Sequence, residues 1–121
     1  MKKIFTLIGA ALLAFVMLAA PPTVPSSNLQ FTSNEGSRLT LRFTAGNGAS
    51  RIIVMKAGSP VTGQPVNGTD YIANAAFGTA AAAFTAADEY VVYKGSSTTV
   101  TVTNLLPNTV YHIAIYEMNC T

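Results

Sequence analysis

Two alternating runs flank a single turn in the last third of the chain, and no other feature constrains the fold as tightly. Thr99-Val100-Thr101-Val102-Thr103 leads into Asn104-Leu105-Leu106-Pro107-Asn108-Thr109, and Val110-Tyr111-His112-Ile113-Ala114-Ile115-Tyr116 leads out of it. Alternation of apolar and polar residues at period two marks half-buried strands. A Tyr that enters a strand straight after such a turn can pack its ring inward while its hydroxyl bonds back to the turn backbone, the arrangement called a tyrosine corner. The pattern predicts antiparallel strands packed as a two-sheet sandwich.

Upstream runs agree. Asn28 to Thr32 carries Leu29 and Phe31 at period two and reads as a short first strand. Leu39, Leu41 and Phe43 alternate with Thr40 and Arg42, which predicts an inward apolar face and an outward face shared with Arg38. Gly46-Asn47-Gly48 supplies residues that accept the positive φ of tight turns. Arg51-Ile52-Ile53-Val54-Met55-Lys56 is almost continuously apolar, as expected of a central strand covered on both faces. Ala57 to Asp70 is a long loop rich in Gly and Pro, with a turn at Asn67-Gly68-Thr69-Asp70. Tyr71 to Ala87 is Ala-rich, but Gly78, Thr79 and Thr85 argue against a long helix and for an irregular excursion of at most one helical turn. Glu89 to Tyr93 is a further strand, turned by Lys94-Gly95-Ser96-Ser97 into the Thr98–Thr103 run. Six or seven strands result. The predicted core is Leu39, Leu41, Phe43, Ile53, Val100, Val102, Leu106, Tyr111, Ile113 and Ile115.

The first twenty residues stand apart from this pattern. Lys2-Lys3 precedes an uncharged apolar stretch from Ile4 to Val16 and the small residues Ala19-Ala20. That is the layout of a secretory signal peptide, and the stretch falls short of the ~20 residues of a membrane-spanning helix. Cleavage after Ala19 or after Ser26 avoids leaving Pro21 at the new N-terminus. No Cys follows the apolar stretch, so a bacterial lipoprotein anchor is not expected. Residues 21–27, rich in Pro and Ser, read as a linker. Residues 28–121 form the single domain.

The chain has seven basic and five acidic residues. Lys2 and Lys3 belong to the signal segment, so the remainder carries five of each sign and no net formal charge. No basic field is left to steer nucleic acid or an anionic membrane surface. Cys120 is the only cysteine. It cannot staple the domain internally, so roughly 100 residues must cohere by core burial, which is feasible at that size. In an oxidising compartment it is a free thiol or half of an intermolecular bridge.

Taken in order, these segments resemble a fibronectin type III-like module of secreted Bacteroidota-type proteins. The matching residues are Leu39-Thr40-Leu41-Arg42-Phe43-Thr44, Gly46-Asn47-Gly48, Arg51-Ile52-Ile53-Val54, Val61, Pro65-Val66-Asn67-Gly68 and Tyr71-Ile72-Ala73-Asn74. Phe77-Gly78, Val92-Tyr93-Lys94-Gly95, Leu106-Pro107-Asn108-Thr109-Val110-Tyr111 and Tyr116-Glu117-Met118-Asn119 complete the set, which covers residues 24–121. The resemblance implies an all-β, immunoglobulin-like antiparallel β-sandwich in which Phe43, Leu106, Pro107 and Tyr111 are structural. Such modules usually carry Trp at the Phe43 position. They also continue into one more strand beyond the one holding Tyr111, so the resemblance implies a sandwich lacking its last strand and exposing an unpaired edge.

Candidate chemistry is sparse. His112, the only histidine, falls one residue off the inward set and reads as a surface strand residue, with neither nucleophile nor orienting group in view. Asp70, Asp88 and Glu89 could offer oxygen ligands to Ca²⁺, but lack the spacing of a Ca²⁺ loop and read as solvated charges. Tyr93 and Tyr116, with His112, form a candidate binding surface on which sugar rings could stack. Asn67-Gly68-Thr69 and Asn119-Cys120-Thr121 match the glycosylation triplet, and both read as turn chemistry. Gly46-Asn47-Gly48 joins strands and is not a phosphate loop. No catalytic residue, metal ligand or cofactor-binding residue is assigned, and no enzyme activity is expected. The resemblance implies a spacer, adhesion or protein-interaction module of a larger secreted or cell-surface protein. Its partners would be other domains of the same polypeptide or a surface protein. The alternative is a carbohydrate-binding accessory module of a secreted hydrolase, its partner a polysaccharide.

Overall fold

The computed structural model describes residues 2–4, 22–66 and 68–119. The remainder of the expected signal segment with its cleavage site after Ala19, Asn67, Cys120 and Thr121 lie outside the described residues. Among the described residues there are seven strands: β1 Lys2–Ile4, β2 Ser27–Asn34, β3 Leu39–Thr44, β4 Ser50–Ala57, β5 Glu89–Gly95, β6 Thr99–Val102 and β7 Tyr111–Met118. The chain is all-β. One sheet runs β2-β3-β6 and the other β7-β4-β5, with β1 added in parallel to the free side of β7. All other strand pairs are antiparallel.

Alternation in the sequence becomes alternation in burial. Leu39, Leu41 and Phe43 of β3 and Val100 and Val102 of β6 point inward, while Arg42 and Thr101 point to solvent. Across the ladder Thr40 faces Thr101, and their hydroxyls lie 3.1 Å apart. The inward set meets Ile53, Met55, Val92, Ile113 and Ile115 of the opposite sheet in one apolar cluster. Two sheets sharing one core in this way are compatible with a β-sandwich. Each fully buried Ile, Leu or Val contributes roughly 1.5–3 kcal/mol relative to an exposed one.

β4 explains its own unbroken hydrophobicity. It is the central strand of its sheet, and Ser50 to Met55 are buried throughout. Ile53 and Met55 face the shared core. Ile52 and Val54 face away from it, into a second cluster with Val61, Tyr71, Phe84, Val91, Ala114, Tyr116 and Met118. The Ala57–Asp88 excursion supplies Val61, Tyr71 and Phe84 and so covers the outer face of the sheet. Its only helical piece among the described residues is one 3₁₀ turn at Ala80–Ala82. Among the described residues no helix is long and apolar enough to cross a membrane.

Three expectations need correction. Leu106 is exposed (67%), and its neighbour Leu105 occupies the core instead. Asn104 adopts a positive φ of 62°, which turns the chain before the pair, and the Leu105 N–H then bonds the Ser37 carbonyl at 3.0 Å. Phe31 is also exposed although it is the register partner of the buried Leu41: β2 is an edge strand, and Phe31 stands at the lip of a groove open to solvent. The expected linker is tied down: Ser26 is buried, and the Thr23 and Val24 N–H groups bond the Asn47 side-chain oxygen at 3.1 and 3.0 Å. On the outer side of β7, Lys2–Ile4 of the expected signal segment pairs with Ile115, Tyr116 and Glu117.

Candidate functional site

The charged side chains buried between strands and loops are the places where chemistry would first be sought. Glu117 on β7 and Arg51 on β4 are register partners, and both are buried. Arg51 Nε donates to Glu117 Oε2 at 2.9 Å and Nη2 to Oε1 at 3.2 Å. Ser26 Oγ donates to the same carboxylate, and the Gly48 N–H reaches Oε1 at 3.0 Å. The remaining guanidinium nitrogen, Nη1, donates to the Ser96 carbonyl at 2.8 Å. Burial pushes the Glu117 carboxyl upward, but the hydrogen bonds from Arg51 and Ser26 and the guanidinium charge outweigh it and hold it below its ordinary value. The network thus clamps the 22–26 segment and the Gly46–Gly48 turn onto the end of the β4–β7 ladder.

Glu89 does the same at the other end of its sheet. Its carboxylate, fully buried, accepts the Thr62 N–H at 2.7 Å, the Gly63 N–H at 3.0 Å and the Thr62 hydroxyl at 3.2 Å. Lys56 Nζ lies 3.9 Å away. Asp70, the acid expected near it, pairs instead with Lys94. Asp88 is exposed with a positive φ of 64°. The three acids weighed as Ca²⁺ ligands therefore do not converge. Among the described residues no group of three or more His, Cys, Asp or Glu side chains is placed to hold a metal ion.

Tyrosines fasten the remaining loops. The Tyr111 hydroxyl accepts the Leu106 N–H at 2.9 Å, five residues back. The Tyr71 hydroxyl accepts the Val66 N–H at 2.9 Å with the same five-residue offset. In both cases the residue three before the Tyr has a positive φ, Asn108 at 57° and Gly68 at 82°. Tyr71 thus repeats the corner geometry in the middle of the long loop. The repeat was readable as a turn-forming Gly three residues ahead of a Tyr. Tyr93 accepts the Ser97 N–H at 2.8 Å. Tyr116 donates to the Gly63 carbonyl at 2.9 Å, and burial followed by the nearby Glu89 charge pushes its hydroxyl up to about 12.

These placements decide the candidate binding surface. Tyr116 is fully buried under the excursion, its ring 5.6 Å from that of Phe84, and presents no stacking face. Tyr93 is half-buried against the shared core. His112 is half-buried on β7, opposite Lys56 in the β4–β7 register. The three do not form one exposed surface. Phe43 is in the core, Pro107 is exposed in the turn, and Tyr111 is half-buried with its ring edge-on to Phe77.

An open groove of about 670 Å³ lies elsewhere, between β2 and the first half of β7. Leu39, Leu105, Tyr111 and Ile113 line it, and Phe31, Leu106 and Val110 stand at its lips. Those last three are 57%, 67% and 67% exposed. No charged side chain is among the groove's lining residues. The sequence reading missed this site because it placed Leu106 in the core and read Phe31 only as part of a first strand. The chain matches no known protein-family profile, and no curated protein matches it significantly.

Proposed function

We propose that this chain is a non-catalytic, exported β-sandwich module of the fibronectin type III-like kind, and that it acts as a protein-interaction domain of a larger secreted or cell-surface protein. The convergence of Phe31, Leu106 and Val110 on an uncharged groove carries this reading. Exposed apolar patches framed by polar surface mark sites where proteins meet. The buried charges support it from the other side. Arg51, Glu89 and Glu117 spend their donors and acceptors on backbone and on one another, fastening loops.

A polysaccharide-binding role drew on Tyr93 and Tyr116 as a stacking pair. One ring is buried and the other packs on the core, so the interaction reading is preferred. The two separate in one experiment. The full chain is passed over insoluble polysaccharide and, separately, over immobilised surface proteins of cells that export it. Retention by protein that falls in a Leu106→Ser, Val110→Ser double variant is the expected result. Retention by polysaccharide that falls in Tyr93→Ala, with no dependence on Leu106 or Val110, would replace this reading by the carbohydrate one.

A further inference from the structure

We infer that a polar recess on the outer face of the β2-β3-β6 sheet is a carboxylate-binding site built around Arg42, whose occupant is an acidic side chain of a partner polypeptide. The inference rests on the interaction reading above only for the occupant being protein, and it does not use the groove. Asn28, Gln30, Arg42, Thr44 and Thr98 line the recess, with Phe43, whose ring belongs to the core. It holds about 320 Å³, at the lower end of the range for ligand sites.

The strands account for its shape. Arg42 of β3 stands between two direct register partners, Gln30 of β2 and Thr99 of β6, and both are uncharged. On β2, Asn28 and Leu29 together oppose the single residue Phe43, a bulge between the Ser27–Thr44 and Gln30–Arg42 pairs. Bulges re-aim side chains and are frequent beside functional sites. Here Asn28 takes a positive φ of 57° and is exposed on the recess, while Leu29 stays packed on the core.

The charges of the chain specify the occupant. Arg51, Lys56 and Lys94 pair with Glu117, Glu89 and Asp70. Among the described residues the Arg42 side chain has neither an ion pair nor a hydrogen bond. All five acidic residues of the sequence are described. Glu35 lies beyond the Asn34–Leu39 pair, at the far end of the β2–β3 ladder, and Asp88 precedes β5 of the other sheet. No acidic side chain of this sequence therefore faces Arg42. A guanidinium offers a planar fork of N–H donors that fits a carboxylate through two parallel bonds. The amides of Asn28 and Gln30 and the hydroxyls of Thr44 and Thr98 both donate and accept, which suits the peptide groups flanking an acid. No exposed aromatic ring lines the recess for a sugar to stack on, which favours a polypeptide over an acidic polysaccharide.

The test uses the full chain and a synthetic peptide with blocked termini, made of glycine and serine around one central glutamate. A second peptide has glutamine in that place. Amide and arginine side-chain NMR follow the titrations. The expected result is saturable binding of the glutamate peptide with shifts at Gln30, Arg42, Thr44 and Thr98, about tenfold weaker for the glutamine peptide. Arg42→Gln also weakens it about tenfold, and Arg42→Lys recovers only part, because an ammonium lacks the fork. Arg38→Gln, just before β3 and outside the recess, leaves binding unchanged. Urea unfolding checks that the Arg42 variants, altered at an exposed position, keep the stability of the parent. Equal binding of the two peptides, or shifts that avoid β2 and β3, would overturn the site. Trigalacturonate that shifts these residues where the glutamate peptide does not would overturn the polypeptide occupant in favour of an acidic polysaccharide. Binding by neither probe would overturn the carboxylate site, while surface-protein retention that depends on Leu106 and Val110 would still uphold the interaction reading.

Discussion

Hydrogen bonds from tyrosine hydroxyls to loop backbone hold this molecule's turns in place. Tyr111→Phe removes the acceptor for the Leu106 N–H and is expected to cost about 1–2 kcal/mol, read as a lowered urea midpoint at unchanged slope. Tyr71→Phe should cost a similar amount, because its bond to the Val66 N–H has the same length and offset. Glu117 gives a sharper test. Glu117→Gln leaves Arg51 without its counter-charge in a buried place and is expected to destabilise by on the order of 3 kcal/mol at neutral pH. The folded-state value of Glu117 lies below the unfolded one, so its stabilisation is full above the ordinary value of 4.5 and lost as pH falls through the folded value. Stability curves of the native chain and the variant should therefore converge on acidification. Parallel curves would show that the clamp has no electrostatic part. The Tyr111 contact was legible because a turn and a strand start sit side by side in sequence. Glu117 was not, since its partners Arg51, Gly48 and Ser26 come from distant segments that only the fold unites.

At the scale of elements, the two kinds of strand differ in how far pattern alone exposes them. β3 and β6 alternate because one face is wet, and that period is visible in the residues, whereas β7 is buried on both faces from Ile113 to Met118, Ala114, Tyr116 and Met118 lying in the second cluster. β4 lacks alternation because both faces are covered, and its continuous apolar run predicts this correctly. β2 misleads: its leucine and phenylalanine stand at period two, and Phe31 pairs with the buried Leu41, yet on an edge strand it stays exposed. An edge position leaves no mark in composition. Turns impose their own constraint through close approach. A Cβ built on Gly48 would lie 2.8 Å from both the Met118 N and O atoms and 2.9 Å from Glu117 Oε1. Gly48→Ala must therefore push the turn off the β7 end. The expected cost is about 1–3 kcal/mol, measured by thermal or urea unfolding. A variant as stable as the parent would show that this turn does not press on β7 as described.

For the whole molecule, two sheets share one core, a loop excursion seals the back of one of them, and a groove remains open between β2 and β7. Strands β2 to β7 and their packing in two layers follow from the alternating runs and their turns, while β1, read as part of the signal segment, does not. Nor does the groove, because it is made by residues that stay exposed, Phe31 on an edge strand and Leu106 after a positive φ at Asn104. Edge and centre of the β7-β4-β5 sheet should also differ in dynamics. β4 is hydrogen-bonded from both sides, while among the described residues β7 is paired on its outer side only at Ile115–Glu117. Residue-resolved amide hydrogen exchange of the full chain tests this directly. Protection throughout β4, with fast exchange at alternate amides over Tyr111–Ala114 and slower exchange over Ile115–Glu117, is the predicted result. Even protection along the whole of β7 would contradict this difference between edge and centre.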